Sequence, residues 1–166
     1  MPLVELSPAV LVLSDAVAWF AVSLVAGYVC HRLPDTRLDH DTALTRLRPF
    51  EHGGRVYERR LRIVRWKDRL PEAGDLFADG YDKRVVTRAD LPRYVIETRR
   101  AEYTHWAIMA ATPAFLLWNP FVVWWAMVAY ALIANLPCLL IQRYNRARVL
   151  RILGRRRHRP HPDRKE

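Results

Sequence analysis

Two polar clusters stand where apolar segments of this chain meet charged ones, and their residue types suit acid–base chemistry. The first cluster, ETRRAEYTHW over residues 97–106, holds Glu102 and His105 three positions apart. That spacing places both side chains on one face of a helix. A carboxylate beside a histidine holds one ring tautomer and raises the basicity of the other nitrogen, as a general base requires. The alternative interpretation is an ordinary helical ion pair among lipid headgroups.

The second cluster follows on a later helix and contains an amide stripe that leads into arginines. Asn135, Gln142 and Arg146 are spaced by seven and four residues, so they share a narrow helical stripe. Pro137 tends to kink this helix, and an amide beside a kink can build a small polar pocket. The alternative is an interhelical hydrogen bond that holds the bundle together, with the arginines serving as an interfacial anchor.

Composition indicates that these clusters lie at a membrane surface. The chain is 51% hydrophobic yet carries a net charge of +10. The apolar runs occupy residues 8–30 and 104–142, whereas most charge lies in 31–103 and 143–166. Ionisable residues at membrane depth are costly and are therefore candidates for function. We predict an all-α integral membrane protein that forms a single domain over residues 1–166.

The elements expected to position the clusters follow from hydropathy and from turn residues. The N-terminal apolar segment lacks a positive n-region and has the length of a spanning helix, so we expect a retained anchor and not a signal peptide. The apolar part of the second long helix, 104–118, covers about 22 Å at 1.5 Å per residue. That is short of the roughly 30 Å hydrocarbon core, so it either spans with help or is re-entrant. In chain order we predict a spanning helix at 8–30 and a cytoplasmic amphipathic region at 31–90, with a helix at 56–70 or, alternatively, a strand at Leu61–Val64. A helix at 91–118 capped by Asp90 and a turn at Asn119-Pro120 follow. The chain ends with a spanning helix at 121–142 and a basic tail at 143–166 that is disordered from Gly154.

The distribution of positive charge predicts the orientation. Residues 31–103 contain 17 Lys and Arg, residues after 142 contain 10, and none precedes Arg32. The positive-inside rule then places both basic regions in the cytoplasm and the N-terminus outside, with about three crossings. We expect the basic segments to bind anionic lipid headgroups and not nucleic acid, because no folded nucleic-acid module accompanies them.

Several classes of site are not indicated. The histidines lack paired metal-ligand spacing, so we predict no metal. P-loop and GxGxxG patterns are absent. Cys30 and Cys138 lie in or at the end of apolar runs, and we interpret them as packing residues without a disulfide.

Three segments carry a resemblance to a known family. IETRRAEYTHW (96–106), RWKDRLP (65–71) and YALIANLPCLLIQRYNRARVLRIL (130–153) resemble the glycosyl-4,4′-diaponeurosporenoate acyltransferases, small bacterial membrane enzymes of C30 carotenoid biosynthesis. The resemblance covers most of residues 50–155, whereas residues 1–30 share only an apolar span. It implies a bacterial cell-membrane enzyme that transfers a fatty acyl group to a sugar hydroxyl of a glycosylated carotenoid or related glycolipid.

The implied reaction requires a base, oxyanion donors and cations for an acyl carrier. We assign the catalytic role to His105 as the base, with Glu102 orienting it. Direct transfer is preferred over an acyl-enzyme, because the serines lie in the poorly matched N-terminal part. The donor is acyl-CoA or an acyl-carrier protein, and no bound cofactor is expected. Asn135 and Gln142 are the candidate substrate or oxyanion donors, and Arg143, Arg146 and Lys67 are the candidate ligands of the donor's phosphates. The full set of substrate-binding candidates is Trp66, Lys67, Arg99, Asn135, Gln142, Arg143, Asn145 and Arg146.

Two alternatives remain open at this stage. One is a non-catalytic membrane scaffold or anchor protein. The other is an isoprenylcysteine-methyltransferase-like membrane transferase, whose site also forms where helices meet the cytosol. Three short helices enclose little volume, which favours a homo-oligomer, and the sequence does not identify the acceptor.

Overall fold

Helices and turns make up the described part of the chain. The computed structural model describes residues 6–69 and 90–157, and no residue in these ranges lies in a β-strand. The α-helices are α1 (Pro8–His31), α2 (Arg55–Arg59), α3 (Leu91–Ala110) and α4 (Phe121–Arg157), and 3-10 helices cover Asp35–Arg37, Pro49–Gly54, Ile63–Arg65, Lys67–Arg69 and Thr112–Leu117. The predicted all-α fold is confirmed for these residues.

Two helices are long and apolar enough to cross a membrane. They are Pro8–His31 and the stretch Phe121–Gly154 of α4, and only 17% of the most apolar window of each is buried inside the protein. A core helix of a soluble protein would be mostly buried, so these exposed apolar faces indicate association with lipid. The number of crossings and their orientation stay predictions.

An aromatic core joins the three long helices. Trp19 of α1 stacks on Phe115 with ring centroids 4.4 Å apart, and both pack with Ile108 of α3 and Ala131 of α4. Large aromatic rings bury much apolar surface in a small volume, which suits a bundle of few helices. The packing fixes how α3 and α4 face each other, and these are the helices that carry the two polar clusters.

The turn between α3 and α4 lies at Asn119-Pro120 as predicted, but neither helix ends at the predicted residue. α3 stops at Ala110 and is followed by the 3-10 helix Thr112–Leu117, because Pro113 cannot continue the α-helical hydrogen bonds. α4 runs on through Arg157, so the start of the expected basic tail is helical and Gly154 lies inside the helix. Residues 158–166 lie outside the described residues.

The predicted amphipathic helix over 56–70 is wrong. α2 ends at Arg59, and Arg62 adopts a left-handed conformation with φ 47°. Tyr57 and Ile63 are both buried in one cluster with Ile141 of α4. Residues six apart lie about 120° apart around a straight α-helix, so the chain must break to bury both against one helix. The rest of the predicted region, 70–89, lies outside the described residues.

The C-terminus of α1 is held by an arginine from α3. Arg100 Nη1 donates to the carbonyl oxygens of Cys30, His31 and Leu33 at 2.9, 2.9 and 2.7 Å, and its Nη2 lies 2.6 Å from Asp35 Oδ1. The last carbonyls of a helix have no partners within the helix. Arg100 satisfies them and complements the negative end of the helix dipole.

At the other end of the bundle, Asp15 of α1 is buried against the turn that precedes α4. Trp118 Nε1 and Asn119 Nδ2 both donate to Asp15 Oδ1, at 2.8 and 2.7 Å. The contact fixes the N-terminal half of α1 to the hairpin of α3 and α4.

Gly54 provides a test of how closely the 49–54 turn approaches α4. Its φ of 92° lies in the left-handed region, and a Cβ built there would meet Ala147 Cβ at 3.0 Å. We expect Gly54→Ala to lower the free energy of unfolding by at least about 1–2 kcal/mol, the cost of the backbone conformation alone. Thermal unfolding in detergent micelles measures it.

Gly154 is the matched control, because a Cβ there meets nothing within 4 Å. Gly154→Ala lies in α4 and should leave stability unchanged or raise it by about 0.5–1 kcal/mol. Equal unfolding temperatures for the two variants would contradict the close approach of Gly54 to α4.

Candidate active site and its buried ion pairs

Glu102 joins the two predicted clusters. Its side chain, on α3, is 0% exposed and contacts two arginines of α4: Arg143 Nη1 lies 2.5 Å from Oε1 and Arg146 Nη1 lies 2.6 Å from Oε2. Arg146 is also 0% exposed. A buried carboxylate is stable in its charged form only when cations or hydrogen-bond donors compensate it. The pairs therefore hold α3 against α4 at a fixed register.

Arg143 extends the network to a second buried carboxylate, Glu51. Arg143 Nη2 lies 2.5 Å from Glu51 Oε1, and the Tyr57 hydroxyl donates to Glu51 Oε2 at 2.7 Å. The backbone N–H of Arg48 donates to Glu51 Oε1 at 2.8 Å. Arg143 thus bridges two glutamates, one on α3 and one in the segment between α1 and α2.

The surroundings of Glu51 and Tyr57 shift the pKa of both side chains. Burial by itself raises the pKa of Glu51, but hydrogen bonds from Arg143, the Arg48 N–H and Tyr57 outweigh it, so the pKa of Glu51 lies below its ordinary value. Burial, reinforced by the bond to Glu51, raises the pKa of Tyr57 to about 12. Glu51 is therefore a permanent anion and Tyr57 a permanent donor at neutral pH.

The same arginines hold down the segment between α1 and α2 through its backbone. Arg143 Nη1 donates to Leu44 O at 3.1 Å and Arg143 Nη2 to Arg46 O at 2.8 Å. Arg146 Nη2 donates to Thr45 O. A segment without long helices has many carbonyl groups to satisfy, and these guanidinium groups satisfy three consecutive ones.

His105 lies beside Asn135 of α4. Its Nδ1 is 2.9 Å from Asn135 Oδ1, and Asn135 Nδ2 donates to Ala131 O at 2.8 Å. His105 is half-buried and Asn135 is buried. The two clusters therefore meet between α3 and α4, but the carboxylate and the histidine have different partners on α4. Glu102 orienting His105 stays a prediction.

The other predicted site residues lie at three different places. Arg99 holds the chain after α1, donating to Asp41 Oδ1 at 2.9 Å and to Leu38 O at 2.8 Å. Trp66 packs against the Tyr57 cluster, and Lys67 pairs with Asp68. The amides Gln142 and Asn145 are half-buried on α4, flanking the arginines of the network.

Sequence reasoning missed Glu51 and Thr45, and it gave Tyr57 no role in the site. Glu51 and Thr45 lie in a segment without regular periodicity, 92 and 101 positions before Arg143 and Arg146. One signal was available: a glutamate three residues after Arg48 at the start of the Pro49–Gly54 turn matches a capping arrangement. That signal explains the bond to the Arg48 N–H but not the burial.

The described residues contain no group of three or more His, Cys, Asp or Glu side chains arranged to hold a metal ion. The chemistry available here is that of a half-buried imidazole with an amide partner, beside a rigid array of arginines and glutamates. Together with the two apolar helices, this defines a helical, membrane-associated protein with its polar centre between two long helices.

Comparison with known proteins identifies the family. The model of the glycosyl-4,4′-diaponeurosporenoate acyltransferase family matches residues 40–155. This range includes every residue of the network of arginines and glutamates described above. The glycosyl-4,4′-diaponeurosporenoate acyltransferase of Staphylococcus aureus strain USA300 is 31% identical over 144 residues, 83% of this chain and 87% of its own length. The proteins of strains NCTC 8325 and Newman are 31% and 30% identical over the same extent. No solved structure matches the chain.

The chain therefore belongs to the glycosyl-4,4′-diaponeurosporenoate acyltransferase family. The predicted enzyme class, an acyltransferase, is confirmed by this membership. The alternatives of a non-catalytic scaffold and of a methyltransferase lose their support.

The pKa of Glu51 predicts a pH-dependent contribution to stability. Because folding lowers this pKa, ionised Glu51 stabilises the fold above its ordinary value of 4.5, and the contribution is lost as the pH falls through the lowered pKa. Glu51→Gln should lower the free energy of unfolding by about 3 kcal/mol at neutral pH, since it leaves Arg143 with one carboxylate fewer. The deficit relative to the unsubstituted protein should shrink below pH 4.5.

Glu58→Gln is the control, measured by denaturation in the same micelles. Glu58 pairs with Arg151 at 3.1 Å, where both side chains are about a third exposed. Such pairs contribute about 0–1 kcal/mol. Equal losses for the two variants, or a Glu51→Gln deficit that does not change with pH, would contradict this description of the network.

Proposed function

We propose that this protein transfers a fatty acyl group from an acyl carrier to a sugar hydroxyl of a glycosylated carotenoid or related glycolipid. Support for the acceptor comes from the names of its relatives, which are acyltransferases of glycosyl-4,4′-diaponeurosporenoate. Support for a lipid-soluble substrate comes from α1 and α4, whose exposed apolar faces give such a molecule access.

The observation that carries the mechanism is the contact of His105 with Asn135, inside the region shared with the family. In the proposed step, the sugar hydroxyl gives its proton to His105 while its oxygen bonds to the acyl carbonyl carbon. The carrier's thiolate then leaves as the tetrahedral intermediate collapses, and the proton on His105 passes to it. A general base of this kind contributes about 10²–10⁴-fold to the rate.

The arginines of the network suit a different role from the phosphate binding inferred from sequence. Arg143 and Arg146 both pair with internal carboxylates, and Arg146 is fully buried. A donor phosphate would have to displace these carboxylates, so we assign the pair to positioning. Arg46 and Arg148 lie beside the network and are exposed, and we assign them to the phosphates of acyl-CoA or an acyl-carrier protein.

The amides of α4 complete the proposed site. Gln142 is the candidate oxyanion donor, because it precedes Arg143 on the helix and its side chain has an N–H₂ group. Both polar ends of Asn135 already bind within the protein, which favours an orienting role for this residue. Direct transfer without an acyl-enzyme remains part of the proposal.

The proposed topology puts the donor and the site on the cytoplasmic side. α1, α3 with its 3-10 extension, and α4 would each cross the membrane, with the N-terminus outside. The exposed arginines of α2 and of the turns around it would lie at anionic headgroups. The phosphate-bearing donor is water-soluble and would reach the site from that surface.

His105→Ala tests the proposal. Membranes that contain this variant should transfer acyl groups at least about 100-fold more slowly, since the base is removed. Mass spectrometry of carotenoid glycosides and glycolipids detects the product as an added acyl mass. If the unsubstituted protein adds the mass of a methyl group to these lipids, or adds no mass, the proposed reaction is contradicted.

His40→Ala is the matched control, because His40 is an exposed histidine paired with its neighbour Asp39. It should keep nearly full activity at the same membrane level of protein. Near-normal activity of His105→Ala at normal expression would remove His105 from the mechanism.

A further inference from the structure

We infer that Asn135 selects the tautomer of His105, so that Nδ1 carries the proton and Nε2 carries the lone pair. Asn135 is thus a positioning residue. Its catalytic consequence rests on the proposed function, whereas the tautomer itself is inferred from the two hydrogen bonds of the Asn135 side chain.

The backbone of α4 fixes the orientation of the Asn135 amide. Ala131 O lies 2.8 Å from the Asn135 amide, and a carbonyl oxygen can only accept a hydrogen bond. The end of the amide that faces Ala131 must therefore be the N–H₂ group. A helix carbonyl four residues earlier is a fixed acceptor, since the helix itself determines its direction.

The other end of the amide is then fixed as well. Asn135 Oδ1 faces His105, at 2.9 Å from Nδ1. An amide oxygen also only accepts, so Nδ1 must be the donor. A neutral imidazole has one N–H, and with the proton on Nδ1 the lone pair is on Nε2.

Burial makes this selection strong. Asn135 is 5% exposed and Ala131 is 2% exposed. Water has little access to replace either hydrogen bond, and the opposite tautomer would turn two lone pairs towards each other in an apolar surrounding. Ile108 and Ala131 pack in the same cluster and keep α3 and α4 in register at this level.

The consequence for the proposed reaction concerns which nitrogen acts. Nε2 accepts the proton of the sugar hydroxyl and later returns it to the leaving thiolate. Nδ1–H stays on Asn135 Oδ1 throughout, and the amide dipole stabilises the imidazolium that forms between the two steps. No further proton or electron is needed.

Nitrogen-15 NMR of histidine-labelled protein in lipid bilayers tests the tautomer directly. The His105 signals are identified by their loss in His105→Gln, and each nitrogen is assigned through its bonded ring carbons in alkaline buffer, where the ring is neutral. We expect a protonated Nδ1 and an unprotonated Nε2. A protonated Nε2 in the unsubstituted protein would overturn the inference, and this spectrum requires no variant of Asn135.

Two substitutions then separate positioning from packing. Asn135→Asp loses the donor to Ala131 O but keeps an acceptor for Nδ1–H, so it should keep the tautomer. Asn135→Leu removes the acceptor and should shift the ring towards Nε2–H. Acyl transfer should fall at least about tenfold more in Asn135→Leu than in Asn135→Asp. Equal tautomer populations in both variants would contradict the role of Asn135.

The readouts distinguish failure of this inference from failure of the proposed function. A protonated Nδ1 in the spectrum together with an active His105→Ala variant would contradict the role of His105 as the base but support the inferred tautomer. Nε2–H together with an inactive His105→Ala variant would keep the base and overturn the role of Asn135.

Discussion

The fold depends on the burial of Glu102 between Arg143 and Arg146. Removing a carboxylate and a guanidinium from water costs several kcal/mol for each ion, and this cost is recovered only when the charges meet in good geometry. Any shift of α3 along α4 would separate them. The pair therefore restricts the register of the two helices more tightly than apolar packing alone, which tolerates sliding when neighbouring faces are similar. His105 and Asn135 meet at 2.9 Å because that register is set.

The same arginines give shape to a segment with little regular structure of its own. Between α1 and α2 the backbone is held by Arg99, Arg100, Arg143 and Arg146, which together contact the chain from Cys30 to Glu51. Guanidinium groups suit this task because each has five donors in a fixed fork. The basic composition of the chain thus has two uses. Some arginines build the interior of the polar centre, and exposed ones face the surroundings.

Several elements could be predicted from the sequence because the signals for them are local. Apolar length predicted α1 and most of α4, and Asn119-Pro120 predicted the turn between α3 and α4. Charge near apolar segments singled out Glu102, His105 and Asn135 as polar residues of interest. The pairings among them were not predictable, because Glu102 and Arg143 are 41 positions apart and helical periodicity compares only near neighbours. The interpretation of Arg143 as a phosphate ligand was made without its partner Glu51, because the burial of Glu51 depends on the path of the whole 38–54 segment. The helix expected at 56–70 was wrong for a similar reason, since burial of Tyr57 and Ile63 against α4 outweighs local helix propensity.

A double-mutant cycle at Glu102 and Arg146 tests the central role of this pair most directly. The free energy of unfolding would be measured in detergent micelles for Glu102→Leu, Arg146→Met and the double variant. Glu102→Leu should cost about 3–5 kcal/mol, because it leaves the fully buried Arg146 without a carboxylate. Arg146→Met should cost less, because Arg143 still pairs with Glu102. The double variant should lose clearly less than the sum, with a coupling energy above about 1 kcal/mol. Additive losses, with no coupling between the two positions, would contradict the account.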